Sequence, residues 1–199
     1  MKYIFREGNS EQTLLLLHGT GGNEEDLLPL SDLIDPEANV LSVRGNVNEN
    51  GMNRFFRRLA EGVFDEEDLI QRTNELNHFL DEKSKEYGFD RNQIYAVGYS
   101  NGANIAGSLL YHFQNSLKGA MLFHPMVPRR GIDLPKHDEV KVFIGAGEND
   151  PICPASEAED LKSMLESSGI EVELFWTNLG HQLTRDEVDA AKEWYQQLN

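Results

Sequence analysis

The chain has 199 residues, 39% of them hydrophobic, and carries 18 Lys and Arg against 34 Asp and Glu for a formal charge of -16. That length can bury a substantial core without metals or disulfides, and a single domain over residues 1–199 is expected. The acidity repels polyanions, which argues against nucleic acid as a partner; with no apolar run long enough for a membrane span and no signal-like apolar N-terminal region, a cytoplasmic protein is expected.

Short apolar runs at 3–5, 13–17 and 39–43 read as strands. In the second, Leu14 to Leu17 are apolar on successive residues, as in a strand covered on both faces. A Gly-rich loop from His18 to Asn23 follows, and then the pattern Leu27, Leu30, Ile34 is interrupted by Pro29, so an irregular turn leading into a helix is expected. The connection 44–65 is long and interleaves Phe55, Phe56 and Phe64 with Arg54, Arg57 and Arg58. It has two readings: the aromatics line an acyl or aryl pocket while the arginines bond loop carbonyls or acidic neighbours, or the aromatics simply pack the loop onto the body.

Leu69, Thr73, Leu76 and Leu80 mark one face of a helix that ends near Gly88. A strand at 94–97 runs into Gly98-Tyr99-Ser100-Asn101-Gly102 and a helix at 104–113. Strands at 120–123, 140–144 and 172–176 alternate with a helix over 155–168, bounded by Pro154 and Gly169. The last helix starts at the capping box Thr184-Arg185-Asp186-Glu187 and turns Val188, Ala191, Trp194 or Tyr195, and Leu198 inward. Such alternation predicts right-handed crossovers and a mostly parallel sheet of about seven strands with helices on both faces. Ligands then belong at the carboxyl ends of the strands.

Gly-x-Ser-x-Gly between a strand and a helix is the setting of a nucleophile elbow, which makes Ser100 the candidate nucleophile; the alternative is a helix-capping serine beside packing glycines. A serine hydroxyl needs a base to take its proton and a carboxylate to orient that base. Asp150 closes a strand through the turn 147–151 and is the candidate acid, with Glu148 as the alternative and a simple turn-forming Asp as the bland reading. Of six histidines, only His181 lies downstream of Asp150, in a loop before the last helix. His78 and His112 are expected on helix surfaces and His137 in a loop, while His124, before Pro125 at a strand end, can line the cleft. None has metal-ligand spacing, so neither a metal site nor a cofactor is expected.

An acyl-transfer oxyanion needs fixed N–H donors, and the backbone N–H groups of Thr20 and Asn101 are the candidates. The P-loop pattern is absent from the Gly-rich loop, which argues against nucleotide binding. The single cysteine, Cys153, cannot form an internal disulfide and is either a reactive thiol near the site or a buried free cysteine.

Together these residues resemble the phospholipase/carboxylesterase family of α/β-hydrolases over nearly the whole chain. A closer match is to its bacterial carboxylesterase branch linked to hydroquinone and catechol stress, through Leu14-Leu15-Leu16-Leu17-His18-Gly19-Thr20-Gly21-Gly22-Asn23-Glu24-Glu25-Asp26-Leu27 and Arg54-Phe55-Phe56-Arg57-Arg58. The resemblance implies the α/β-hydrolase fold, a Ser100, Asp150, His181 triad, an oxyanion hole at Thr20 and Asn101, a small ester substrate and a homodimer. Acyl-protein thioesterases usually carry Gln after the nucleophile, where this chain has Asn101. Three functions stay open: a serine carboxylesterase, an acyl thioesterase or lysophospholipase with the same triad, and a non-catalytic binding module on the same fold.

Overall fold

Strands and helices alternate along residues 1–199, all of which the computed structural model describes. β1 (Tyr3–Arg6) and β2 (Thr13–Leu17) precede the short helix α1 (Leu28–Ile34) and β3 (Asn39–Val43). Two small hairpins follow, β4 (Val47–Glu49) with β5 (Met52–Arg54) and β6 (Arg58–Ala60) with β7 (Val63–Phe64). Then come α2 (Glu66–Tyr87), β8 (Ile94–Tyr99), α3 (Asn101–His112), β9 (Gly119–Phe123), β10 (Lys141–Gly147), α4 (Ala155–Ser167), β11 (Glu171–Thr177) and α5 (Arg185–Leu198). The expected strands and helices are all present. The two hairpins in 44–65 were not expected, because strands of two or three residues are too short to carry a periodic signal.

Seven strands form one sheet in the order β1-β3-β2-β8-β9-β10-β11, with β1 antiparallel to β3 and every other pair parallel. Side chains alternate across a strand, so the apolar run in β2 serves both faces of the sheet. Leu15 and Leu17 enter the larger core with Leu69, Leu76 and Leu80 of α2, Ile105 and Leu109 of α3, and Leu161 and Leu165 of α4. Leu14 and Leu16 enter the smaller one with Ile34 of α1 and Val188, Ala191, Trp194 and Tyr195 of α5. Trp194 and Tyr195 are both buried, which resolves the choice between them as inward residues in favour of both.

Local chemistry sets the element ends. Pro29 lies in the first turn of α1, where a missing N–H breaks no helical bond. The Asp65 side chain caps α2 by accepting from the Asp68 N–H, and Gly88 ends the same helix at φ 75°. Thr184 and Glu187 form both bonds of the capping box at α5. At the carboxyl ends of β8 and β10 the chain turns at Ser100 and Asp150, and the turn after β11 carries His181. The topology thus brings to one sheet edge three residues spread over 81 positions of the sequence.

Candidate active site

Ser100 joins β8 to α3 at φ 51° and ψ -112°, a left-handed region that a serine occupies only under constraint. Its N–H is tied to the Phe123 carbonyl at 2.8 Å. The flanking glycines are required by close approach: a Cβ on Gly98 would lie 2.7 Å from the Ala103 nitrogen, and one on Gly102 would collide with the Leu17 carbonyl. The sharp turn lifts the Ser100 hydroxyl above the end of the sheet.

Ser100 Oγ lies 2.9 Å from His181 Nε2, and His181 Nδ1 lies 2.6 Å from Asp150 Oδ2. Asp150 Oδ1 accepts the N–H groups of Ile152 (2.8 Å) and Cys153 (2.9 Å). Burial of the carboxyl works to raise its pKa, but these two backbone bonds and the contact with His181 outweigh it and hold the value below the ordinary aspartate range. The loop bearing His181 is pinned by the Tyr99 hydroxyl, which donates to the His181 carbonyl at 2.6 Å.

The N–H of Asn101 is the first of α3 and has no intrahelical acceptor, and the N–H of Thr20 has no acceptor within the protein. Both residues border a cleft of about 290 Å³ together with Ser100 and His181. Neighbouring hydrogen bonds hold them in place. Arg54 Nη1 donates to Thr20 Oγ1 at 2.6 Å, and the Phe55 N–H donates to Asn101 Oδ1 at 2.7 Å.

The pocket expected of Phe55, Phe56 and Phe64 is corrected in two positions. Phe55 and Phe56, which follow β5, are buried in the larger core, the Phe55 backbone tied to Asn101 Oδ1; of the three only Phe64 borders the cleft. Two of the arginines bond as expected, Arg54 Nε donating to the Phe56 carbonyl at 3.1 Å and Arg57 facing Asp65 and Asp68 at 3.5 and 3.8 Å, whereas Arg58 borders the cleft. Tyr99, Met126, Ile152 and Cys153 complete much of the cleft wall. Cys153 is nonetheless buried, and its surroundings, burial first and the charge of Asp150 second, push the thiol pKa up to about 12.

His124 does not line the cleft; it is buried behind it, with Nδ1 3.1 Å from Asp150 Oδ2. His137 lies in a loop as expected but is buried, its Nε2 2.8 Å from the Leu110 carbonyl. His112 is half-buried rather than on the surface, since its Nε2 meets Arg129 Nη1 at 3.0 Å. His124, Asp150 and His181 offer three potential ligand atoms within 4.8 Å of one another, but those atoms already bond each other around Asp150 Oδ2. For three residues of this region the sequence does not show the contacts that matter: Tyr99, His124 and Glu187. The pattern around Glu187 signals only helix capping, and nothing in the pattern around His124 distinguishes a buried imidazole from a cleft-lining one.

Comparison with known proteins places this chain among hydrolases. Residues 48–197 match the model of the Dienelactone hydrolase family. The chain is 56% identical to MhqD of Bacillus subtilis (strain 168) over 197 residues, 99% of this chain and 98% of that protein. Among solved structures it is similar to a carboxylesterase of Bacillus cereus, with 64% identity, a TM-score of 0.99 and coverage of 100% of this chain and 95% of that one. It is also similar to YahD, solved with malic acid, at 35% identity and a TM-score of 0.94 over 100% of this chain and 99% of that one.

Proposed function

The chain belongs to the dienelactone hydrolase family, and on that premise we propose that it is a serine carboxylesterase, built as one domain, that hydrolyses small carboxylic esters through an acyl-serine intermediate. The observation that carries the proposal is the unbroken line from Ser100 Oγ through His181 to Asp150 at a strained elbow. The similarity to a Bacillus cereus carboxylesterase supports the ester chemistry.

In the first half-reaction His181 Nε2 takes the Ser100 proton as Oγ bonds to the ester carbonyl carbon. The electron pair displaced onto the carbonyl oxygen meets the N–H groups of Thr20 and Asn101. Asp150 accepts the His181 Nδ1–H and stabilises the imidazolium that forms. That imidazolium then protonates the leaving alkoxide oxygen as its bond to carbon breaks, leaving the acyl group on Ser100. Water repeats the sequence, giving up a proton to His181 as it attacks, and Ser100 recovers a proton when the acid departs. The cleft of about 290 Å³ lies at the small end of ligand sites and favours short acyl and alcohol groups.

Labelling by an organophosphonate tests the nucleophile, since only an activated serine reacts quickly. Wild type is expected to label at Ser100, and Ser100→Ala to lose labelling and about four to six powers of ten in kcat on a short p-nitrophenyl ester while its melting curve stays cooperative. A tenth or more of the activity surviving in Ser100→Ala would remove the serine from the mechanism. Rates on matched ester and thioester series separate esterase from thioesterase, because both use the same side chains and differ in the leaving group.

A further inference from the structure

Behind the proposed relay lies a second, wholly buried imidazole. His124 follows β9 at φ 55°, a left-handed conformation unusual for histidine, and its N–H is fixed to the Gly145 carbonyl at 2.7 Å. The ring spans two carboxylates. Nδ1 is 3.1 Å from Asp150 Oδ2, and Nε2 is 3.0 and 3.3 Å from the two oxygens of Glu187. Glu187, in the first turn of α5, has no exposed surface, and its Oε2 accepts from the Thr184 N–H at 3.0 Å and the Thr184 hydroxyl at 2.7 Å.

We propose that His124 is a positioning residue for Asp150, itself held by Glu187, so that the relay is a chain of five side chains running from the buried Glu187, His124 and Asp150 to His181 and Ser100 at the cleft. The role rests on Ser100 being the nucleophile. Asp150 Oδ2 then sits between two imidazole N–H groups and Oδ1 between two backbone N–H groups, which fixes the plane of the carboxylate. A carboxylate oxygen only accepts, and a neutral imidazole has one N–H to give, so the two-sided contact is satisfied by the doubly protonated ring. Burial works to lower the His124 pKa, but Glu187 first and Asp150 second outweigh it and hold the value above that of ordinary histidine. The other titratable groups facing the ring are His181 and Tyr99, at 5.3 and 6.0 Å between ring centroids, and Cys153, whose thiol donates to the His124 carbonyl at 3.5 Å.

A buried ion pair gains little stability over apolar packing, so a purely structural role explains this arrangement poorly. A cation behind Asp150 has a kinetic consequence. It offsets part of the carboxylate charge and so moderates how strongly Asp150 favours the protonated form of His181 during acylation.

Glu187→Gln tests this, because glutamine also serves a capping box and its amide can donate to a neutral His124 Nε2. With the cation gone, kcat on a p-nitrophenyl ester is expected to fall about tenfold with KM within about twofold, and the rising limb of kcat/KM against pH to move up by about half a unit or more. His124→Gln should shift the limb in the same direction, and adding Glu187→Gln to it should cost little more, since both act through one contact chain. In the wild-type protein, ring-nitrogen NMR should find both His124 nitrogens protonated at neutral pH. A Glu187→Gln variant that only melts earlier, with its pH limb and kcat unmoved, would overturn the positioning role, as would a singly protonated ring in wild type. Wild type that neither hydrolyses the ester nor labels at Ser100 would overturn the nucleophile, and the role of His124 with it.

Discussion

At Ser100 the backbone is held at φ 51°, and the conformational cost, of order 1–3 kcal/mol for such a residue, is borne by the packing of β8 against α3. Asp150 and Glu148 are two residues apart, yet their surroundings differ completely. Asp150 is buried and accepts four hydrogen bonds, whereas the Glu148 side chain is exposed. Asp150→Asn would set an amide N–H against two imidazole donors or turn its single oxygen away from the backbone. A loss of about four powers of ten in kcat is expected, against a change within about twofold for Glu148→Gln. Steady-state kinetics on both variants checks this, and the reverse ranking would move the acid to Glu148. Ser100 and His181 were legible from a motif and from chain order; Tyr99, His124 and Glu187 were not, because what matters about them is what they touch.

Among the elements, α3 depends on a contact that no periodicity records. It passes so close to β2 that a single methyl on Gly102 would strike the Leu17 carbonyl, and backbone cannot step aside as a flexible side chain can. Gly102→Ala should therefore tilt α3 outward, carrying Asn101 and Ser100 with it, at a cost of about 3 kcal/mol or more in stability. Urea unfolding together with esterase assays would register the loss; an unchanged midpoint and unchanged turnover would contradict the close approach. The same scale explains the aromatic segment after β3. Phe55 and Phe56 contribute to the core, while Arg54 and the Phe55 backbone brace Thr20 and Asn101. A long connection rich in Phe and Arg reads equally well as pocket or as packing until the hairpins are seen.

For the whole molecule, a formal charge of -16 on 199 residues produces self-repulsion that salt screens. Raising ionic strength from about 0.02 to 0.3 M near pH 7 should lift the melting temperature by about 2–5 °C, read by calorimetry, whereas a flat or falling trend would mean that local ion pairs outweigh the net charge. No helix is long and apolar enough to cross a membrane. The alternation of apolar runs with helical faces by itself determined the parallel sheet and its two helical layers, because burial on one or both faces imposes a period that single residues reveal. Gly-x-Ser-x-Gly and the order Ser100, Asp150, His181 likewise pointed to side chains that the fold brings together. Only the tertiary structure decided that Phe55 and Phe56 face the core, that His124 stands behind Asp150 rather than in the cleft, and that a helix-capping Glu187 also completes a buried chain of carboxylates and imidazoles. Those are contacts between residues as far as 63 positions apart, and a contact across the fold leaves no local pattern by which one sequence could announce it.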